Sequence, residues 1–254
     1  MVGIKRSVYR YKKQARRDEA VIDELSRLVD RHPELGFEKL FDLIRRAGHR
    51  WNHKRVHRIY CELRLNKRRK HKRRLPARVP QPLTAKEFLN VCWSADFMSD
   101  ALWSGQRFRT FNVIDDFNRE VLAIEIDLNL PAERVIRVLD RIAELRGYPD
   151  KVRLDNGPEF VGLALAGWAE RHNVHLDFIK PGKPMQNGFI ERFNRTQREA
   201  ILDRYLFSKL DEVREQTAAW IKKYNEERPQ EALGNQTPRE RRLDHILETS
   251  TYVW

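Results

Sequence analysis

The chain has 254 residues, 41% of them hydrophobic and 34% charged, with 50 Lys and Arg against 37 Asp and Glu for a formal net charge of +13. Such a length suits one sizeable core plus a smaller module, and the cationic excess points to a polyanionic partner. The two cysteines, Cys61 and Cys92, cannot build a disulfide framework or a four-cysteine zinc site, and no run approaches the roughly 18 apolar residues of a membrane span, so a soluble protein of the reducing cytosol is expected.

The charge is unevenly placed. Residues 1–80 hold 25 Lys and Arg against 9 Asp and Glu, a net of +16, which leaves the other 174 residues at −3. A basic arm ahead of a mildly acidic domain suits an enzyme that gathers carboxylates in a site and tracks phosphates with its arm. A packing protein of ribosomal or histone type would not carry so long a non-basic α/β pattern.

Val21, Leu25 and Leu28 recur at helical spacing within residues 18–31, where His32-Pro33 ends the pattern. Leu40, Phe41 and Ile44 mark a second helix over 37–47, stopped by Gly48. Asn52 can cap a third over 53–63, with Val56, Ile59, Tyr60 and Leu63 facing inward. Residues 1–63 therefore resemble a helix-turn-helix module whose third helix offers Lys54, Arg55 and Arg58 to phosphates or base edges. A solvated basic face is the plain alternative. His53, His57 and Cys61 fall four residues apart on that helix, but without a fourth ligand from another element they read as core or surface residues, not a zinc site.

Residues 64–84 form a basic linker. Nine Lys and Arg and no acid lie between Arg64 and Arg78, and Lys67, Arg68, Arg69 and Lys70 are candidate DNA contacts.

Strand patterns follow over 91–98, 108–115 and 120–127, the last two separated by Asp116-Phe117-Asn118-Arg119. Asp115 and Asp116 read as turn formers, with Asp116 accepting backbone N–H bonds. Pro131 opens a helix that Gly147 closes; a strand over 151–154, a helix over 161–172, a strand over 174–179 and a long helix from near Asn187 complete the pattern. Three antiparallel strands followed by alternating helix and strand describe a ribonuclease-H-like mixed sheet with flanking helices, here over residues 85–243 with its C-terminal helices and a tail over 244–254.

Asp96 stands in a hydrophobic strand among Val91, Trp93 and Phe97, where a bare charge needs compensation. Asp155 ends the fourth strand, and Glu191 lies in the first turn of the long helix. Strands one and four are neighbours in the expected arrangement, so both aspartates would sit side by side with the glutamate across them. Three carboxylates so close call for hard divalent cations, two Mg²⁺ or Mn²⁺ ions about 4 Å apart. Thirty-five residues separate Asp155 from Glu191.

These residues resemble the second-frame (OrfB) proteins of insertion-sequence-three family transposases, whose core is similar to retroviral integrases and uses an Asp, Asp, thirty-five, Glu triad. The matching pieces are Trp93-Ser94-Ala95-Asp96, Ile114-Asp115-Asp116-Phe117-Asn118-Arg119-Glu120, Leu154-Asp155-Asn156-Gly157-Pro158-Glu159-Phe160 and Asn187-Gly188-Phe189-Ile190-Glu191-Arg192-Phe193-Asn194. Tyr224-Asn225, Arg228-Pro229, Leu233 and Thr237-Pro238 are similar to the family's C-terminal signature, and Lys54-Arg55-Val56 to the end of its N-terminal module. The chain departs from the pattern at Leu35-Gly36-Phe37-Glu38 and at Gln230, neither in the triad.

The resemblance implies metal-dependent cleavage and strand transfer of double-stranded DNA by a homo-oligomer, with an upstream-frame partner or fusion supplying a further helix-turn-helix and a coiled coil. Asn194, Arg195 and Arg198 share the face of Glu191 by spacing and are candidate DNA contacts, with Asn156 and Glu159 as supporting residues around Asp155. An RNA–DNA hybrid nuclease would share the fold, and a catalytically silent DNA-binding regulator would share the arm. The intact triad and the C-terminal signature favour transposition.

Overall fold

A computed structural model describes residues 18–66, 87–155, 157, 160, 162–179 and 187–250. The chain divides into two units, Met1–Lys72 and Arg73–Trp254. The candidate contacts Lys67, Arg68, Arg69 and Lys70, and the supporting residues Asn156 and Glu159, lie outside the described residues. None of the described helices is long and apolar enough to cross a membrane.

In the first unit α1 (Glu19–Arg31), α2 (Phe37–Arg46) and α3 (His53–Glu62) enclose a small core. Val21, Leu25, Leu40, Ile44, Val56 and Ile59 are essentially inaccessible there, as the helical spacing requires. The Asn52 side chain accepts a hydrogen bond from the Lys54 amide, so the expected N-cap forms. Gly48, at φ +90°, turns the chain after α2 in a conformation that an L side chain rarely adopts. His53 and His57 pack edge-on against Phe37, with ring centroids 5.1 and 4.7 Å away.

The second unit is a five-stranded mixed sheet in the order β3-β2-β1-β4-β5. Its strands are β1 (Cys92–Ala101), β2 (Arg107–Asp115), β3 (Val121–Asp127), β4 (Lys151–Leu154) and β5 (His175–Phe178). β1, β2 and β3 form the antiparallel meander; β4 and β5 add in parallel. Two clusters cover the two faces. Trp93, Ala95, Phe111, Val113 and Val152 pack with α4 (Ala132–Arg146) and α5 (Leu163–Arg171). Met98, Phe108, Ile114 and Ile126 pack with α6 (Gly188–Gln197), the π-helical turn Arg198–Leu202 that extends it, and α7 (Leu210–Glu226). Strict alternation along β1 sends Trp93 and Ala95 to one face and Ser94, Asp96 and Met98 to the other.

The last helix, α8 (Pro238–Ser250), runs through most of what the sequence suggested as a tail from residue 244. Thr237 and Glu240 cap its start reciprocally, and His245 inserts between Phe88 and Phe117. Those contacts make it part of the core domain.

Candidate active site

The parallel ladder of β1 and β4 pairs Trp93 with Val152 and Ser94 with Arg153. Carried two residues onward, the same register sets Asp96, midway along β1, abreast of Asp155, just past the end of β4, and neighbouring strands stand about 4.8 Å apart. α6 packs against β1 and β2 and carries Glu191 in its first turn, exposed to solvent.

Asp96 is held from two sides. One carboxylate oxygen accepts the Phe97 amide (2.8 Å) and the other the Asn194 side-chain amide (2.7 Å). Burial pushes its carboxyl up to about 6 against the pull of the Phe97 amide, and the negative charges of Asp155 and Glu191 push the same way. That mutual repulsion is the signature of three acids sharing one region. Asp155 accepts the Gly157 amide at 3.0 Å, so its carboxylate is tied into the turn that ends β4. Phe160 is buried and stacks on Phe97 of β1, with ring centroids 4.9 Å apart.

Among the described residues no three His, Cys, Asp or Glu side chains close on a single metal position as they stand. Their chemistry suits hard divalent cations: the carboxylates of Asp96, Asp155 and Glu191 are oxygen donors, and Asp155 and Glu191 are near enough to Asp96 for their charges to act on it.

Asn194 is not a surface contact, as its spacing from Glu191 suggested. It is buried, with its amide nitrogen on Asp96 and its oxygen accepting from Asn112 (2.7 Å), which also donates to Gln197 (2.7 Å). Asn112 is the direct cross-strand neighbour of Asp96. Because Asn112 spends both N–H groups on two oxygens, it fixes which end of the Asn194 amide faces Asp96. The clue was available in the sequence: a polar Asn112 within the apolar run Phe111 to Ile114 must find partners.

A second polar layer lies one strand step back from the aspartates. Asp116, fully buried, accepts Ser94 Oγ (2.6 Å) and Arg153 (2.9 Å), and Arg153 also reaches Asp177 (3.2 Å). The backbone-accepting role expected of Asp116 belongs to Asp115, which takes the amides of Asn90 (3.0 Å) and Phe117 (2.8 Å). Side-chain direction in the strand decides this, because residue 116 follows the last position of β2 and turns beneath the sheet.

The candidate DNA contacts separate into two groups. Lys54 and Arg195 are exposed. Arg55 and Arg58 instead grip Asp18 at 2.8 and 2.5 Å, fastening α3 to the start of α1, and Arg58 also pairs with Glu62. Arg198 bonds Asp100 and the Ser99 carbonyl, tying the helix that bears Glu191 to the end of β1.

Models of the integrase core domain match residues 89–184 and 172–238, and a model of an HTH-like domain matches residues 16–73. The chain is 39% identical over 246 residues to the insertion element IS407 protein of Burkholderia multivorans, covering 96% of this chain and 89% of that one. The chain belongs to the insertion-sequence-three family of transposases, of the second-frame type. The insertion element IS476 protein of Xanthomonas euvesicatoria is also 39% identical to this transposase, over 87% of it and 64% of the relative. A chain of the simian T-cell lymphotropic virus intasome, solved with the PP2A regulatory subunit B56 gamma, shares the fold at 15% identity, with a TM-score of 0.52, over 86% of the transposase and 74% of that chain.

The C-terminal signature of the transposase is a clamp on the sheet. Asn225 donates to the Val121 carbonyl and accepts its amide, so it satisfies the free edge of β3. The Pro238 carbonyl accepts from Asn118 in the β2–β3 turn, and Tyr224 packs edge-on against Phe193 of the Glu191 helix.

Proposed function

We propose that the transposase cuts DNA strands and transfers their 3′ ends to a target, using Asp96, Asp155 and Glu191 to hold two Mg²⁺ or Mn²⁺ ions. The observation that carries this reading is the juxtaposition of Asp96 with Asp155 and Glu191: burial pushes the Asp96 carboxyl up to about 6, and the charges of the other two acids push the same way. When bound, such ions supply activation of the attacking oxygen and charge relief for the departing one. In cleavage a water oxygen bonds to phosphorus as the bond to the 3′ oxygen breaks; in transfer the freed 3′ hydroxyl oxygen, losing its proton, bonds to a target phosphorus as the bond from that phosphorus to the target's own 3′ oxygen breaks, and that oxygen leaves as a 3′ hydroxyl. The protein's part is to orient: the Phe97 amide and Asn194 fix both oxygens of Asp96, and the Gly157 amide fixes Asp155.

Arg195, one turn beyond Glu191, and Lys54 on α3 are proposed phosphate contacts, together with Lys67, Arg68, Arg69 and Lys70 of the linker. Assembly as a homo-oligomer on DNA in the cytoplasm, with an upstream-frame partner, completes the proposal. The test is end-labelled duplex DNA carrying the element's termini, incubated with Mg²⁺. Asp96→Asn, Asp155→Asn and Glu191→Gln should each abolish cut product while DNA binding persists, and wild-type cleavage by any of them would remove that residue from the site.

A further inference from the structure

Arg119 leaves the β2–β3 turn with φ at +61°, a left-handed conformation costly for a side chain of its size. Its guanidinium donates to the Asp116 carbonyl and lies over the Phe189 ring, 3.3 Å from the centroid. Phe189 precedes Glu191 by two residues on α6, and Arg192, exposed, is the next residue along. From α7, Tyr224 reaches the same helix through Phe193, and the Arg228 guanidinium stands 5.7 Å from the Tyr224 ring. Arg119 and Arg228 thus each lie against an aromatic ring, and Arg192 is near enough to Arg119 and Tyr224 for its charge to act on both.

Among the described residues no carboxylate lies within ion-pair distance of Arg119 or Arg192, although Asp116 and Asp115 are near enough to Arg119 for their charge to act on it. Asp115 is committed to two backbone amides and Asp116 to Ser94 and Arg153. Among the described residues neither Arg119 nor Arg192 makes an ion pair. Burial lowers the Arg119 pKa against the opposing charges of Asp116 and Asp115, and the like charge of Arg192 adds slightly to the lowering. A partly desolvated guanidinium without a carboxylate is a cost that a bound anion offsets, and its planar fork suits two oxygens of one phosphate.

We propose that Arg119 and Arg192, with Arg228 beside them, seat a phosphodiester of the DNA strand passing Glu191, a contact separate from the three-carboxylate site. The proposal rests on the reading that this chain handles DNA. It assigns the Arg-Pro of the C-terminal signature and the arginine of the β2–β3 turn to one substrate contact, and it explains why an arginine tolerates left-handed backbone at residue 119. Phe189 keeps the Arg119 guanidinium in place by ring contact, so less ordering of that side chain remains when the phosphate arrives.

The experiment uses the full chain and a fluorescein-labelled DNA duplex in metal-free buffer, with affinity measured by anisotropy across a salt series. Arg192→Gln and Arg119→Gln should each weaken binding at low salt and make the plot of log affinity against log salt shallower by about 0.9, the value of one phosphate contact on duplex DNA. Arg192→Lys should keep the slope. Arg137→Gln, which neutralises an exposed arginine on α4, should leave both affinity and slope unchanged. Arg192 is exposed, so its variant remains a valid test even if Arg119→Gln lowers the melting temperature. An unchanged slope for Arg192→Gln, or an equal loss for Arg137→Gln, overturns the proposal. Because no metal ion or cleavage enters the measurement, these outcomes are independent of whether the carboxylate variants abolish cutting.

Discussion

Replacing Asn112 with Leu tests whether the buried amide relay governs Asp96. The substitution keeps approximate volume and removes both donors, so Asn194 Oδ1 and Gln197 Oε1 each lose a 2.7 Å hydrogen bond inside the core. Two buried acceptors left unsatisfied cost about 1–3 kcal/mol apiece. Asn112 Oδ1 is itself without a partner among the described residues, so its removal returns one such penalty. The net expectation is a stability loss of about 1–3 kcal/mol. Freed from Asn112, the Asn194 amide can rotate and present oxygen to Asp96, which forfeits a charge-assisted bond worth about 1.5–3 kcal/mol, or roughly 10- to 100-fold in cleavage rate if that bond persists into the transition state. Urea unfolding followed by circular dichroism reads the first effect, and single-turnover cleavage under conditions where the variant is fully folded reads the second. A variant as stable and as fast as wild type would show that the relay orients nothing.

Asp116→Ala should destabilise the protein by about 3–5 kcal/mol, because Arg153 would keep only the partly exposed Asp177 as a partner; a loss under 1 kcal/mol in chemical denaturation would refute this. Burial raises the Asp115 carboxyl from 3.8 to about 6 against its two amide bonds. A folded-state pKa above the unfolded one means that Asp115 contributes stability fully present below about 3.8 and lost as pH rises through 6, of order 3 kcal/mol across that window. Carbon-13 titration of the Asp115 carboxyl in metal-free protein should give a midpoint near 6, and a midpoint below 4 would contradict the burial argument.

The sequence revealed elements more readily than side-chain partners. β4 was bounded correctly at residues 151–154, since Gly147 before it and Asp155-Asn156-Gly157 after it leave a strand no other extent. Asp96, Asp155 and Glu191 stand out in the sequence because carboxylates inside or just beyond hydrophobic strands and in a helix's first turn have few bland explanations. Asn194 was misassigned because three-residue spacing from Glu191 says which residues are near it, not how broad a face the helix buries. No local pattern in the sequence marks Asp18 as the partner of Arg55 and Arg58, since it lies 37 and 40 residues away. The extent of α8 was hidden because Leu243, Ile246 and Leu247 are 50%, 41% and 67% exposed, leaving no buried stripe over its second half. The departure at Gln230 falls in a bridge to Gln236.

The most direct test of the central claim exchanges one hard oxygen ligand for sulfur. Asp155→Cys should cut element-end DNA at background rate with Mg²⁺, which shuns thiolates, and recover cleavage above background with the more thiophilic Mn²⁺. Cleavage by this variant at the wild-type rate with Mg²⁺ would contradict the assignment of Asp155 as a metal ligand and with it the proposed chemistry.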